Sequence, residues 1–346
     1  MKGIGTMSPI RHLTPLLGAV LVWACGKSPS GPAASPRLYY GTQSPGDAWT
    51  WTIDASTFQA RNERTGYTYS GDKSALPSGF LKLIVRASTE PGITLPATAY
   101  AIEYPNTVLL IKPAGPDPMI VAVALGTCPA GSQSYGWVNT PPVGWDATRS
   151  EAYGTATVAL AGASYSITGA KYRLDGTAVT PGVSETATCA NGQFAIASGG
   201  TAAVTPSRAM IVDNGAGGGV VGLITPAANV DVAALAGRSY RGVLFRKVSG
   251  SDDTEPIGAD PVSGGNLSGY CFANVETGAH CASGGATLLL SAATQASPGV
   301  LRFQLNDGTL HDFVAVVSQV AGKYLLFGIS TNSSSTEPYN VALIEQ

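Results

Sequence analysis

Short runs in which apolar and polar residues alternate dominate this chain of 346 residues, and they constrain its fold more than any other feature. Alternation with a period of two, enriched in β-branched and aromatic residues, is typical of strands that bury one face. The clearest runs are DAWTWTID (47–54), GYTYSG (66–71), GFLKLIVRA (79–87), TVLLIK (107–112), MIVAVAL (119–125), SYRGVLF (239–245), VLRFQL (300–305) and KYLLFGI (323–329). The pattern predicts an all-β protein built from antiparallel strands.

Pairs of residues that tolerate a positive φ separate several of these runs. Such pairs occupy the tight turns of hairpins, and they are Asp175–Gly176, Asn191–Gly192, Asn214–Gly215 and Asp307–Gly308. Only the segment NVDVAALAG predicts a helix, of barely two turns, with Asn229 as its N-cap and Gly237 just beyond its end. Helix is therefore expected to be almost absent.

A weak internal repeat divides the body of the chain into units that open with a Tyr–Gly strand and close with an apolar hairpin. The openings are YYGTQ (39–43), AYGTATV (152–158) and YRGVLF (240–245), and the closings span 107–125, 208–224 and 323–344. This predicts two or three β-sandwich or β-barrel modules in tandem, at 37–128, 150–226 and 229–346, with a Pro- and Gly-rich loop at 129–149. The alternative is that the first two segments form one larger domain, because apolar hairpins resemble one another.

The N-terminus has the organisation of an export signal. Lys2, Arg11 and His12 precede a short apolar run from Leu13 to Ala24, and no acidic residue lies among them. This run is too short to span a bilayer as a stable helix, which is typical of the apolar region of a cleaved signal peptide. We therefore expect residues 1–24 to be removed.

The end of that segment, LVWAC (21–25), resembles the lipobox of bacterial lipoproteins because a small residue immediately precedes Cys25. The resemblance implies a diacylglyceryl group on the sulfur of Cys25, an added acyl chain such as palmitate on its amine, and stable anchoring in the cell envelope. Gly26 stands where an Asp would signal inner-membrane retention, which favours the outer membrane. Residues 26–36, GKSPSGPAASP, predict a flexible tether. The alternative is an ordinary secretory signal in which Cys25 carries no lipid.

Composition excludes several classes of protein. Without residues 1–24 the chain has 18 basic and 22 acidic residues, since Lys2 and Arg11 are the only charged residues removed. This balance of −4 does not provide the basic surface that a nucleic-acid partner requires. No later segment has 18 consecutive apolar residues, so no further membrane span is expected.

Four cysteines remain once Cys25 is assigned to the lipid anchor: Cys128, Cys189, Cys271 and Cys281. An even number in an oxidising compartment predicts two disulfides, with three connectivities open. Proximity in the sequence favours a bond between Cys271 and Cys281 across a hairpin, and a second bond between Cys128 and Cys189.

Catalytic and metal-binding signals are weak. His280 and His311 are the only histidines of the mature chain, and neither is accompanied by a nucleophile motif. His280 lies beside Cys281 with Glu276 and Cys271 nearby, but the spacing matches no zinc pattern. We therefore assign no catalytic residue, metal or cofactor.

Trp137 and Trp145 are the candidate ligand-binding residues. They flank the Pro- and Gly-rich stretch VNTPPVG, where a packed strand is not expected, and Asp146 and Arg149 follow closely. Loop aromatics beside polar groups are typical of sites that bind a glycan or a protein, although such rings also fill interfaces between modules.

These observations favour a non-catalytic surface lipoprotein that binds or displays a glycan or an envelope protein. A structural accessory of an envelope complex is the second hypothesis. A glycan hydrolase using scattered carboxylates is the third, because the separation of such carboxylates is spatial rather than sequential.

Overall fold

The computed structural model describes residues 35–43, 47–115, 117–140, 151–213, 221–226, 230–248, 251–282, 285–320, 322–331 and 338–346. Every regular element in these ranges is a strand except for one short 3₁₀ helix, so the all-β prediction is confirmed. The described residues belong to one compact unit from Ser35 to Gln346. No helix in this part of the chain is long and apolar enough to cross a membrane.

The first eight strands close into an antiparallel barrel, which we call barrel 1. Each strand pairs with the next in sequence, and the last strand returns to pair with the first, so the ring has no free edge. The strands are β1 (Arg37–Gln43), β2 (Asp47–Ile53), β3 (Thr57–Asn62), β4 (Thr68–Ala75), β5 (Leu81–Ser88), β6 (Ala97–Tyr104), β7 (Val108–Lys112) and β8 (Ile120–Ala124).

The next eight strands form a second closed antiparallel ring, barrel 2. Closure here is made by β9, which pairs with β10 on one side and with β16 on the other. The strands are β9 (Gln133–Thr140), β10 (Tyr153–Ala161), β11 (Ser164–Tyr172), β12 (Ala178–Ala190), β13 (Gln193–Ile196), β14 (Thr201–Val204), β15 (Met210–Asp213) and β16 (Val221–Pro226).

The last nine strands form one antiparallel sheet, which we call ring 3, in the order β18-β17-β25-β24-β23-β22-β21-β19-β20. β18 also pairs with β19, which joins the two sides of the sheet and leaves only β20 outside the ring. The strands are β17 (Tyr240–Val248), β18 (Ser251–Val262), β19 (Asn266–Asn274), β20 (Ala279–His280), β21 (Thr287–Ser297), β22 (Val300–Asn306), β23 (Leu310–Val320), β24 (Lys323–Thr331) and β25 (Pro338–Glu345).

Two sequence expectations need correction. The segment 129–149 is not a loop throughout, because β9 (Gln133–Thr140) lies inside it and supplies the strand that closes barrel 2. The expected two-turn helix is a single 3₁₀ turn, Val232–Leu235, capped by the side chain of Asp231, which accepts a hydrogen bond from the Ala233 amide. Asn229, the expected cap, lies outside the described residues. Leu235 of this turn is buried against ring 3.

The predicted turn pairs are confirmed where the structure describes them. Gly176 and Gly308 have positive φ, and Asn191 and Gly192 have φ of 51° and 77°. Two consecutive residues with positive φ match the twist of the strands that they join, as the tightest hairpins require. Asn214–Gly215 lies outside the described residues.

Each ring has its own interior, and a further apolar cluster is shared by all three. This central cluster contains Val108, Leu110, Val121 and Val123 of barrel 1, Val138, Tyr153 and Ile211 of barrel 2, and Val243, Val314, Val316, Phe327 and Ile344 of ring 3. Three of the strands that reach it, β7, β8 and β25, are buried on both faces, one toward their own ring and one toward the neighbouring ring. This explains why TVLLIK and MIVAVAL are apolar at nearly every position.

Polar contacts also join the rings. The Thr42 hydroxyl donates to the Asp213 carboxylate at 3.0 Å between barrels 1 and 2. The Asn340 side-chain amide donates to the Asn139 carbonyl oxygen at 2.8 Å between ring 3 and barrel 2. Both contacts are buried, where a paired polar group stabilises one arrangement and an unpaired one is costly.

Candidate functional site

Barrel 2 encloses a cavity of about 550 Å³. An eight-stranded barrel is just wide enough either to be filled by its own side chains or to hold one small ligand. The inward positions of barrel 2 include three alanines, Ala156, Ala187 and Ala202, which leave space that larger side chains would occupy. Apolar residues line the depth of the cavity: Val158, Ile167, Phe194, Met210 and Val212.

The cavity lies toward the end of barrel 2 at which β9 ends and β10 begins. Asn139, Glu151 and Lys171 line it there. The Lys171 ammonium pairs with the Glu151 carboxylate at 2.8 Å, and both side chains are partly exposed to solvent. We call this end the mouth.

The opposite end of barrel 2 is covered by the chain that arrives from barrel 1. Cys128 forms a disulfide with Cys189 of β12, with 5.9 Å between their Cα atoms. The Tyr165 hydroxyl donates to the carbonyl oxygen of Pro129 at 2.7 Å. The disulfide and the hydrogen bond hold this segment against the end of barrel 2 that lies opposite the mouth.

Trp137 lines this cavity, but not in the way the sequence predicts. It lies within β9 rather than beside a loop, and its side chain is only 7% exposed. Alternation along β9 points Tyr135 and Trp137 inward, while Val138 reaches the central cluster on the outer face. The expectation that no packed strand forms beside this stretch is therefore wrong, because β9 extends to Thr140.

Gly154 of β10 makes room for the Trp137 ring. A Cβ atom at this position would collide with the indole of Trp137 and with the carbonyl oxygen of Ala170. The glycine of the opening AYGTATV thus permits a bulky aromatic ring on the neighbouring strand.

Trp145, Asp146 and Arg149 lie outside the described residues. The described residues Asn139 and Glu151, one on each side of residues 141–150, line the cavity at the mouth. Their role as ligand-binding residues stays a prediction.

Tyr135 lies inside barrel 2, and its hydroxyl has no hydrogen-bond partner in the described part of the chain. Burial raises the pKa of Tyr135 to about 12, because the apolar interior disfavours the phenolate. The phenol is therefore neutral over the physiological range.

His280 and His311 each contact a side chain close to them in the structure. The His280 ring stacks on Tyr270 with 3.8 Å between centroids, and Cys271 is bonded to Cys281. His311 lies 3.2 Å from the Asp307 carboxylate. No cluster of three or more His, Cys, Asp or Glu residues suited to a metal ion occurs in the described ranges. Both disulfides are the pairs that sequence proximity favours.

The cavity residues that sequence reasoning missed come from distant strands. Lys171, Phe194, Ala202 and Met210 carry no motif, and barrel closure alone brings them together. The one available signal was the run of small residues ASGGTAAV (197–204), which indicates positions where an interior is left open.

No family model and no curated protein matches this chain. Among solved structures, the chain is similar to a tryptophan-to-alanine mutant of transferrin binding protein B, a vaccine antigen from Haemophilus parasuis. The identity is 8% and the TM-score is 0.25, over 91% of this chain and 77% of that chain. A TM-score of this size does not establish a shared fold.

Proposed function

We propose that this protein is a lipid-anchored, non-catalytic binding protein of the bacterial cell envelope whose barrel 2 holds a small apolar or amphipathic molecule. The observation that carries the proposal is the cavity of about 550 Å³, which is apolar in its depth and polar at its mouth. Pockets for small molecules typically occupy roughly 300–1,000 Å³ and have this distribution of polarity.

The distribution of side chains indicates how such a ligand would lie. Its apolar part would contact Val158, Phe194 and Met210 in the depth, where leaving water is favourable. Its polar end would stay at the mouth near Lys171 and Glu151, which form an ion pair and offer both a donor and an acceptor. A wholly charged ligand would lose its hydration inside the barrel without compensation.

The lipid anchor rests on the resemblance of LVWAC (21–25) to a lipobox. Residues 26–36 would then hold the folded unit away from the membrane surface, with the outer membrane favoured by Gly26. Cys25→Ser should abolish the incorporation of labelled fatty acid into the protein and block cleavage of the signal. Continued labelling of that variant would contradict the assignment.

The ligand proposal is tested with a soluble form of the protein that begins at Gly26 and therefore carries neither the signal nor the lipid anchor. Fluorescence of the apolar dye N-phenyl-1-naphthylamine should rise on binding, and palmitate should displace the dye. Ala156→Trp adds a large ring to the cavity and should reduce dye binding at least tenfold. Ala159→Trp is the matched control, because alternation places Ala159 on the outer face of the same strand β10.

Ala202→Phe provides a second cavity variant in case Ala156→Trp impairs folding, which circular dichroism and thermal unfolding would reveal. Equal dye binding by a folded cavity variant and the Ala159→Trp control would overturn the proposal. The proposal would also be overturned if the parent protein failed to bind the dye.

A further inference from the structure

Barrel 1 contains a second pocket, of about 260 Å³, that the proposed function does not use. It lies at the end where β1 ends and β2 begins, since Gln43 and Asp47 line it. The other end of barrel 1 is filled by Tyr39, whose hydroxyl donates to the Glu103 carboxylate at 2.7 Å, and by Arg37, which pairs with the same carboxylate. The pocket is therefore a recess that begins at one end of the barrel and extends inward to Trp51 and Phe58.

One wall of this recess is aromatic. Trp49 and Trp51 of β2 lie 5.9 Å apart between ring centroids, with 32° between the ring planes. Tyr69 lies 5.5 Å from Trp49, and Phe58 stacks on Trp51 at 6.0 Å. The facing wall is aliphatic: Leu83, Val85, Ala99, Ile111 and Ile120. The recess thus has one continuous aromatic side, and we call this space between the two walls the slot.

Polar groups at the entrance are held in place by hydrogen bonds. The Asn62 side-chain amide donates to Asp47 at 3.0 Å, and Arg64 pairs with the same carboxylate. The Tyr69 hydroxyl donates to Glu90 at 2.8 Å. These contacts fix planar amide, carboxylate and guanidinium groups around the slot, which lowers the entropic cost of binding a ligand there.

Trp51 supplies a donor as well as a surface. Its side chain is 5% exposed and lines the slot, and its indole N–H has no acceptor among the described residues. An indole N–H can only donate. A ligand that brings an oxygen atom into the slot is one source of the missing acceptor.

These features select the chemistry of the ligand. Arg64 pairs with Asp47, the Tyr69 hydroxyl donates to Glu90, and Asp117 also lines the slot, so its polar groups offer several acceptors together with the guanidinium donor. A sugar ring presents an apolar face of C–H groups, which packs on an aromatic ring, and a perimeter of hydroxyls that both donate and accept. The slot is smaller than the roughly 300–1,000 Å³ of pockets for larger ligands, so it suits a single ring.

We propose that the recess of barrel 1 binds one neutral pyranose ring of a saccharide, packed on Trp49 and hydrogen-bonded at Asp47, Asn62 and Arg64. This site is independent of the cavity in barrel 2. A terminal sugar of an envelope or host glycan would enter this end of the barrel.

Saturation-transfer NMR with the soluble form that begins at Gly26 tests the proposal. The probes are the methyl pyranosides of glucose, galactose, mannose and N-acetylglucosamine, and choline serves as an organic cation for comparison. At least one pyranoside should receive saturation at its ring protons. Arg64→Ala and Asp47→Asn should each weaken its binding about tenfold, because each removes charge-assisted hydrogen bonds.

Arg61→Ala is the matched control for Arg64→Ala. Arg61 and Arg64 are similarly exposed, at 57% and 53%, but Arg61 pairs with Glu63 and does not line the slot. Sugar binding should survive in Arg61→Ala, and dye binding in barrel 2 should be unchanged in all three variants. The proposal is overturned if no pyranoside receives saturation, if choline alone binds, or if Arg64→Ala and Asp47→Asn, shown to be folded, bind as the parent does.

Discussion

Barrel 1 and barrel 2 are the same ring of eight antiparallel strands with different interiors. Large rings fill barrel 1, where Tyr39, Trp49, Trp51 and Phe58 point inward, and the space that remains is about 260 Å³. Barrel 2 carries alanine at several inward positions and keeps about 550 Å³. The comparison shows that side-chain volume, rather than the number of strands, decides whether such a ring is a packed core or a container.

The two barrels also differ in how their closed ends are held. Barrel 1 uses an ion pair between Arg37 and Glu103, joined by the Tyr39 hydroxyl. Barrel 2 uses a disulfide from Cys189 to the segment that covers it. A disulfide is suited to a barrel whose interior is partly empty, because such an interior provides few packing contacts to stabilise the ring.

The largest difference is expected from truncating the inward tryptophans. Trp51→Ala in barrel 1 should cost about 4–5 kcal/mol, because the ring packs between Trp49 and Phe58. Trp137→Ala in barrel 2 should cost about 3 kcal/mol, since part of its ring already faces empty space. Urea unfolding followed by circular dichroism measures both. An equal or reversed order would contradict the contrast between packed core and container.

Removal of the disulfides should have the next largest effect. Cys128 and Cys189 are 61 residues apart, and replacing both with Ser should cost about 4 kcal/mol by the chain-entropy estimate. The same change at Cys271 and Cys281, which are 10 residues apart, should cost about 3 kcal/mol. Calorimetry would give the order.

Only the first of these two double variants should also weaken dye binding in barrel 2, because only that bond holds the covering segment. Thiol titration of the unreduced, denatured parent provides the control, and it should find none of these four cysteines free.

The dependence of stability on alkaline pH should distinguish the role of Tyr39 in barrel 1 from that of Tyr135 in barrel 2. Burial raises the pKa of both phenols, and the bond to Glu103 raises that of Tyr39 further. The folded state therefore holds these protons more tightly than the unfolded chain, whose tyrosines titrate near pH 10. Their contribution to stability is fully present below about pH 10 and is lost as the pH rises through the folded-state pKa, which for Tyr135 is about 12.

The loss attributable to Tyr135 is roughly 2–3 kcal/mol, the value of a pKa shift of about two units. Tyr135→Phe should remove that loss and leave stability at neutral pH nearly unchanged, because its hydroxyl has no partner among the described residues. Tyr39→Phe should destabilise even at neutral pH, since Glu103 and the Asn106 amide lose a hydrogen bond. The measurement is the free energy of unfolding of both variants as a function of pH. The same pH dependence in both variants would contradict the difference expected here.

The smallest effects on stability are expected from the charged residues at the mouth of barrel 2 and at the entrance of the slot in barrel 1. Arg64→Ala in barrel 1 and Lys171→Ala in barrel 2 each break an exposed or partly exposed ion pair and should change stability by less than about 1 kcal/mol. Lys171→Ala should weaken palmitate binding by roughly threefold to tenfold while dye binding stays constant, because it removes the cation at the mouth. Equally weakened palmitate binding in Arg64→Ala would mean that the mouth of barrel 2 and the entrance of the slot in barrel 1 are not distinct in function.

The sequence by itself determined the class of structure and favoured the disulfide that lies within one hairpin. Alternation along segments such as DAWTWTID depends only on neighbouring residues, and the conformation of Asn191–Gly192 is a local property of the backbone. The pairing of Cys271 with Cys281 follows from their proximity in the chain. Local rules suffice for such features because they concern residues within one hairpin.

Tertiary structure alone decided which residues form the site. Closure of the barrels pairs β1 with β8 and β9 with β16, strands that lie far apart in the chain, and no local pattern specifies those partners. The same closure turned Trp137 inward, although the Pro-rich sequence after it favoured a loop. A cavity is the difference between the space that a ring encloses and the volume of its side chains. That difference becomes defined only when all eight strands of the ring are in place.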